Sequence, residues 1–187
     1  MSADPTEAGL IARVLAEDDR GAFATLVNRH QGAVRGLLGR LCGGDRALAD
    51  DLSQETFVRV YRGLATFRGG AQFATWLHRV AYNVFLSRAG RREALPVGVG
   101  DEARAHQPRA VGSEAALLRY DLERAMQALK PAEAAAVTLS YAHQLSHQEI
   151  AEVLGCPVGT VKTHIARGKE RLRGELEDWQ TRSGEAS

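Results

Sequence analysis

The stretch HQEIAEVLGCPVGTVKTHIAR, His147 to Arg167, decides how the chain folds. Ile150 and Leu154 stand one helical turn apart, Ala151 is small where two helices must approach, and Gly155 follows where a tight turn needs positive φ. Val161 on the next segment is spaced to pack back against Ile150 and Leu154. Ser146, with Glu149 three residues later, is the capping-box pattern that marks the start of a helix. The segment reads as a helix-turn-helix.

Its second helix carries Lys162, Thr163, His164 and Arg167 on the side opposite Val161 and Ile165, and continues into Lys169, Arg171 and Arg173. From Cys156 to Gly174 there are five Lys or Arg residues and one acid, Glu170. Such a helix suits phosphates along its length and base edges at its leading side. A solvated basic helix is the plainer reading, and the turn chemistry at Gly155 argues against it.

Bulk composition permits a DNA-binding role without requiring one. The 187 residues are 44% hydrophobic and 25% charged, enough for one medium or two small globular domains, and the net charge is only +1. A nearly neutral chain binds nucleic acid when acids and bases occupy different faces, so distribution matters more than the sum. Cys42 and Cys156 lie far apart without C-x-x-C spacing and read as reduced thiols, buried or half-buried. The N-terminal MSADPTEAGL has neither a basic nor an apolar leader region, and no segment approaches the ~20 apolar residues of a membrane span. These features predict a cytoplasmic protein without membrane insertion.

Apolar residues recur at three- and four-residue spacing through most of the chain, which predicts an all-α fold. Leu10, Ile11, Val14 and Leu15 mark a first helix, and Phe23 to Leu41 a second that stops before Gly43 and Gly44. A third begins near Asp45 and stops near Phe67 and Gly69, and a fourth runs from about Ala71 to Ser87. ALPVGVGDEARAHQPRAVG, Ala94 to Gly112, shows no stripe and reads as a flexible linker. Periodicity returns at Ser113, and Pro131 suits a helical first turn. The expected organisation is two small helical domains, 1–93 and 113–187, joined by a linker over 94–112, with the helix-turn-helix in the second.

Two segments of the first domain carry opposite chemistry. FATWLHRVAYNVFLSRAGRR, Phe73 to Arg92, contains Arg79, Arg88, Arg91 and Arg92, no acid, and the aromatics Phe73, Trp76, Tyr82 and Phe85. Cations and flat rings together suit single-stranded nucleic acid, although helical spacing puts most of these rings in a core. One helix earlier, DRALADDLSQETF places Asp51, Gln54, Glu55 and Val58 on one face. An acidic face repels phosphates and suits a protein partner.

Together these segments resemble the extracytoplasmic-function group of bacterial RNA polymerase sigma factors, over about Ala22 to Arg92 and Leu117 to Leu176. ADDLSQETFVRVYRGL resembles the helix that binds core polymerase, and on this resemblance Asp51, Gln54, Glu55 and Phe57 are core-binding candidates. FATWLHRVAYNVFLSRAGRR resembles the helix that opens and holds the −10 element, implying DNA contact by Trp76, Asn83, Arg88, Arg91 and Arg92. PVGTVKTHIARGKERL resembles the reader of the −35 element, implying Lys162, Thr163, His164, Arg167, Lys169 and Arg171. Ser87 stands where many members have Asp or Asn, and His164 where many have Arg. The implied partners are bacterial core RNA polymerase, promoter DNA and an anti-sigma factor.

Two other readings compete with this one. A stand-alone helix-turn-helix transcriptional regulator explains Gly155 and the basic helix but gives the first domain no purpose. A metal protein or enzyme built on His143, His147, Cys156 and His164 lacks the Glu of an H-E-x-x-H motif, and Ser146 starts a new helix between the first two histidines. The expectation is therefore no catalytic site, no metal and no cofactor.

Overall fold

The computed structural model describes residues 6–69, 72–93 and 122–184, with side chains described to residue 90 in the second stretch and to 177 in the third. Among the described residues the regular structure is helical throughout, with no strand. The expected linker over 94–112, and Ser113 with the residues that follow it to 121, lie outside the described residues.

Helix α1, Glu7–Glu17, starts where the Thr6 hydroxyl accepts from the Gly9 amide and ends at Asp18, whose φ of 51° turns the chain. Asp19 caps α2, Arg20–Leu41, by accepting from the Ala22 amide at 2.9 Å. Two left-handed glycines, Gly43 and Gly44, close that helix before Asp45 caps α3, Arg46–Gly63, through the Leu48 amide. A single 3-10 turn, Leu64–Thr66, leads towards α4, Phe73–Glu93. α4 extends past the expected end at Ser87: it runs through Gly90, which a helix tolerates at a cost of about 1 kcal/mol, and the next proline is Pro96.

In the second half, α5 is described over 122–127 and α6 spans Pro131–Tyr141. Gln144, at φ 57°, ends the latter: the Leu145 amide reaches back to the Leu139 carbonyl. α7, His147–Leu154, and α8, Val158–Gly184, follow.

The two halves share one core. Leu10, Leu26, Val34, Leu37, Leu38, Leu77 and Val84 pack into the same apolar cluster as Leu139, Ile150 and Val161. Each such fully buried side chain contributes about 1.5–3 kcal/mol of transfer free energy. The contact runs along α2 against α6 and α4 against α7. Leu15, beside Val14 but turned away from the cluster, is 49% exposed.

Candidate functional site

The helix-turn-helix is built as the spacing predicts. The Ser146 hydroxyl accepts from the Glu149 amide at 3.3 Å, and the Glu149 carboxylate accepts from the Ser146 amide at 2.8 Å. The Ser146 hydroxyl, which donates to the Glu149 carboxylate at 2.7 Å, and then the Ser146 amide hold the Glu149 carboxyl below the usual carboxylate range. Gly155 sits at φ 66° and its amide reaches the Ala151 carbonyl, so α8 leaves at the angle set by that turn. Val161 and Ile150 are fully buried against one another's cluster.

That packing turns Lys162, Thr163 and Arg167 outward, all exposed, with His164 half-buried. The Thr163 hydroxyl donates to the Gly159 carbonyl at 3.0 Å, and its oxygen can still accept a hydrogen bond. Further along α8 the basic residues divide. Lys169 lies over the Tyr141 ring, its Nζ 5.8 Å from the centroid. Arg171 places Nε 3.3 Å from Glu133, whose carboxylate is only 3% exposed and also accepts from the Lys130 amide. Arg171 thus ties α8 to the start of α6.

On α4, Phe73, Tyr82 and Phe85 are buried, whereas Asn83 and Arg88 are exposed. Trp76 is half-buried, its ring 5.5 Å from Phe67 and 5.8 Å from Phe73. Most of the aromatics in this segment therefore build the core. Arg91 and Arg92 continue the helix, and their side chains lie outside the described residues.

On α3, Asp51 and Gln54 are exposed and Val58 is 48% exposed, forming one open edge at three- and four-residue spacing. Glu55 is paired with Arg59 at 2.6 Å, one turn on, and Asp50 with Arg35 at 3.0 Å. Phe57 is half-buried against the core. No group of three potential metal ligands forms among the described residues, and His143 and His147 fall on opposite sides of the α7 cap.

Residues 26–94 match the family model of Sigma-70 region 2, and residues 119–172 that of Sigma-70 region 4. The chain is 33% identical to the ECF RNA polymerase sigma-E factor of Haemophilus influenzae, over 95% of this chain and 98% of that one. It belongs to the ECF RNA polymerase sigma factors. The RNA polymerase sigma-H factor of Pseudomonas aeruginosa is 36% identical over 90% of this sigma factor and 92% of its own length. The sigma factor RpoE of Bartonella quintana, solved in complex with the anti-sigma factor NepR, shares the fold with a TM-score of 0.66 at 22% identity, covering 83% of this chain and 96% of that one.

Within this sigma factor, α3 and α4 fall in the region 2 match, while α6, α7 and the leading part of α8 fall in the region 4 match. Sequence reasoning did not single out Glu133, Gly168 or His78. Glu133 is legible in part, as the third residue after Lys130 and beside a Pro at a helix start. Gly168, inside a helical pattern, is the kind of residue that marks a close backbone approach. His78 gives no such sign, since a lone histidine on an apolar stripe does not announce its partner.

Proposed function

We propose that the sigma factor docks on bacterial core RNA polymerase through the α3 edge of Asp51, Gln54 and Val58. Glu55 and Phe57 support it by pairing with Arg59 and by packing. Promoter DNA is then read at two places. Asn83 and Arg88, with Trp76, Arg91 and Arg92, hold the melted −10 element on α4. Lys162, Thr163, His164 and Arg167 read the −35 element from α8, with Lys169 beside them. Arg171 serves mainly to hold α8 on α6.

The division of labour follows domains 1–93 and 113–187 with 94–112 between them. Two weak DNA contacts become one selective contact once both are carried on polymerase, because the second is then effectively intramolecular. The protein works in the cytoplasm without catalysis, cofactor or metal. An anti-sigma factor that covers these surfaces is its expected regulator. Among the described residues no helix is long and apolar enough to cross a membrane.

The observation that carries this reading is the open edge of Asp51, Gln54 and Val58 on α3 in the same chain as a capped helix-turn-helix. A stand-alone regulator needs the second and has no use for the first. The test is reconstitution of purified chain with core polymerase. A stable complex and initiation confined to particular promoters are expected, and absence of both overturns the reading.

A further inference from the structure

We infer that His78 and His143 form a proton-sensitive latch between the two halves of the free chain: neutral, they hold the α6–α7 turn on α4, and protonated, they release it.

The two rings stack with centroids 4.7 Å apart and planes tilted by 42°. His78 comes from α4 and is 3% exposed; His143 comes from the turn that precedes α7. Among the described residues neither ring nitrogen of His78, nor Nε2 of His143, has a hydrogen-bond partner. Buried imidazole nitrogens without partners make a poor home for a charge. Two charged rings at this distance would also repel each other.

Among the described residues no carboxylate acts on either ring to relieve that charge. From α2, His30 faces His78 and is already bound to Glu7 at 2.7 Å, while Arg40 faces His143 and donates to the Gly36 carbonyl. From α7, Glu149 is held by Ser146 and reaches α4 only through the Thr75 hydroxyl, at 3.4 Å. From α3, Asp50 and Glu55 pair with arginines and Asp51 faces solvent. Burial pushes the thiol of Cys156, after α7, upward, so it offers no thiolate. The Ala74 carbonyl on α4 itself favours the charged form slightly but is too poorly placed for a hydrogen bond.

Burial first, then His143 and His30, lowers the His78 pKa to about 4, and burial followed by Arg40 lowers that of His143. Because the closed chain binds this proton more weakly than the open one, closure is fully supported above the ordinary histidine range. It weakens as pH falls towards the depressed value. At pH 5 the His78 contribution alone moves the equilibrium towards open by about thirtyfold. Only the consequence, that opening frees the halves to reach separate DNA elements, rests on the function proposed above.

The test measures the radius of gyration of the full chain by small-angle scattering from pH 7.5 to about 5, with helical circular dichroism in parallel. Wild type is expected to expand as pH falls with its helical signal unchanged, while His78→Phe, which keeps a ring but cannot take a proton, stays at its neutral-pH size. Should His78→Phe not fold, His78→Leu, apolar and likewise unable to take a proton, takes its place. A wild-type radius that does not change, a variant that expands equally, or expansion accompanied by loss of helix would overturn the latch. Polymerase binding assayed separately at pH 7.5 keeps the two proposals distinguishable: a chain that opens without binding loses the function and keeps the latch.

Discussion

Gly168 and Val137 meet where α8 crosses α6: a β-carbon on Gly168 would lie 2.7 Å from Val137 Cγ2 and 3.4 Å from Leu129 Cδ2. The glycine lets the basic helix lie directly on the buried face of α6. Gly168→Ala is therefore expected to destabilise the protein by about 1–3 kcal/mol through overpacking. Gly174→Ala, on the same helix with nothing within 4 Å, is expected to stabilise by up to ~1 kcal/mol. Urea unfolding of the two variants checks the opposite signs.

Arg171 and Glu133 predict a basic residue whose loss is felt in the fold. Arg171→Ala leaves a buried carboxylate with only the Lys130 amide and is expected to cost ~1–2 kcal/mol. Lys162→Ala, exposed on the same helix, should leave stability unchanged. Equal melting temperatures for both variants would assign Arg171 to DNA rather than to the fold.

Promoter choice separates reading from phosphate attraction. Lys162→Ala or Arg167→Ala is expected to cost about 1–3 kcal/mol at particular base pairs and to relax selectivity, whereas Arg173→Ala weakens all sequences alike. Binding of polymerase carrying each variant to a panel of single-base promoter changes measures the difference.

On α3, Asp51→Arg reverses the charge of the open edge without touching the core, since Asp51 is exposed. Core polymerase binding should fall more than about tenfold while stability stays within ~0.5 kcal/mol. A co-migration assay with unchanged affinity would remove this edge from the interface.

The α7 cap gives a pH-dependent prediction of the same sign as the histidine latch, set by a carboxylate and so at lower pH. Ser146 hydrogen bonds lower the Glu149 pKa, so its contribution is complete above the ordinary carboxylate range and is lost as pH falls through the depressed value. Ser146→Ala should cost ~1 kcal/mol at neutral pH. The melting-temperature gap between wild type and Glu149→Gln should narrow from pH 7 to about 3.

The helix-turn-helix is legible in the sequence because its signals are local. Ser146, Glu149 and Gly155 each act on their own few residues, and the folded chain has the cap and the left-handed turn they imply. The exposure of Asp51, Gln54, Lys162 and Arg167 follows from helical spacing in the same way. The aromatics of α4 are harder to place. That helix is packed by α2, α3 and α7, so its apolar residues surround it and periodicity does not say which ring is left at the surface.

Sequence alone determined the helical fold, the cap of α7 and the turn at Gly155, because propensity, capping and turn conformation depend on neighbours within a few residues. Tertiary structure decided what joins segments far apart in the chain. Arg171 sits on Glu133, Gly168 on Val137, Thr75 on Glu149 and His78 on His143. Such contacts depend on how helices cross, and the spacing of residues along one helix carries no information about the partner that another helix brings to it.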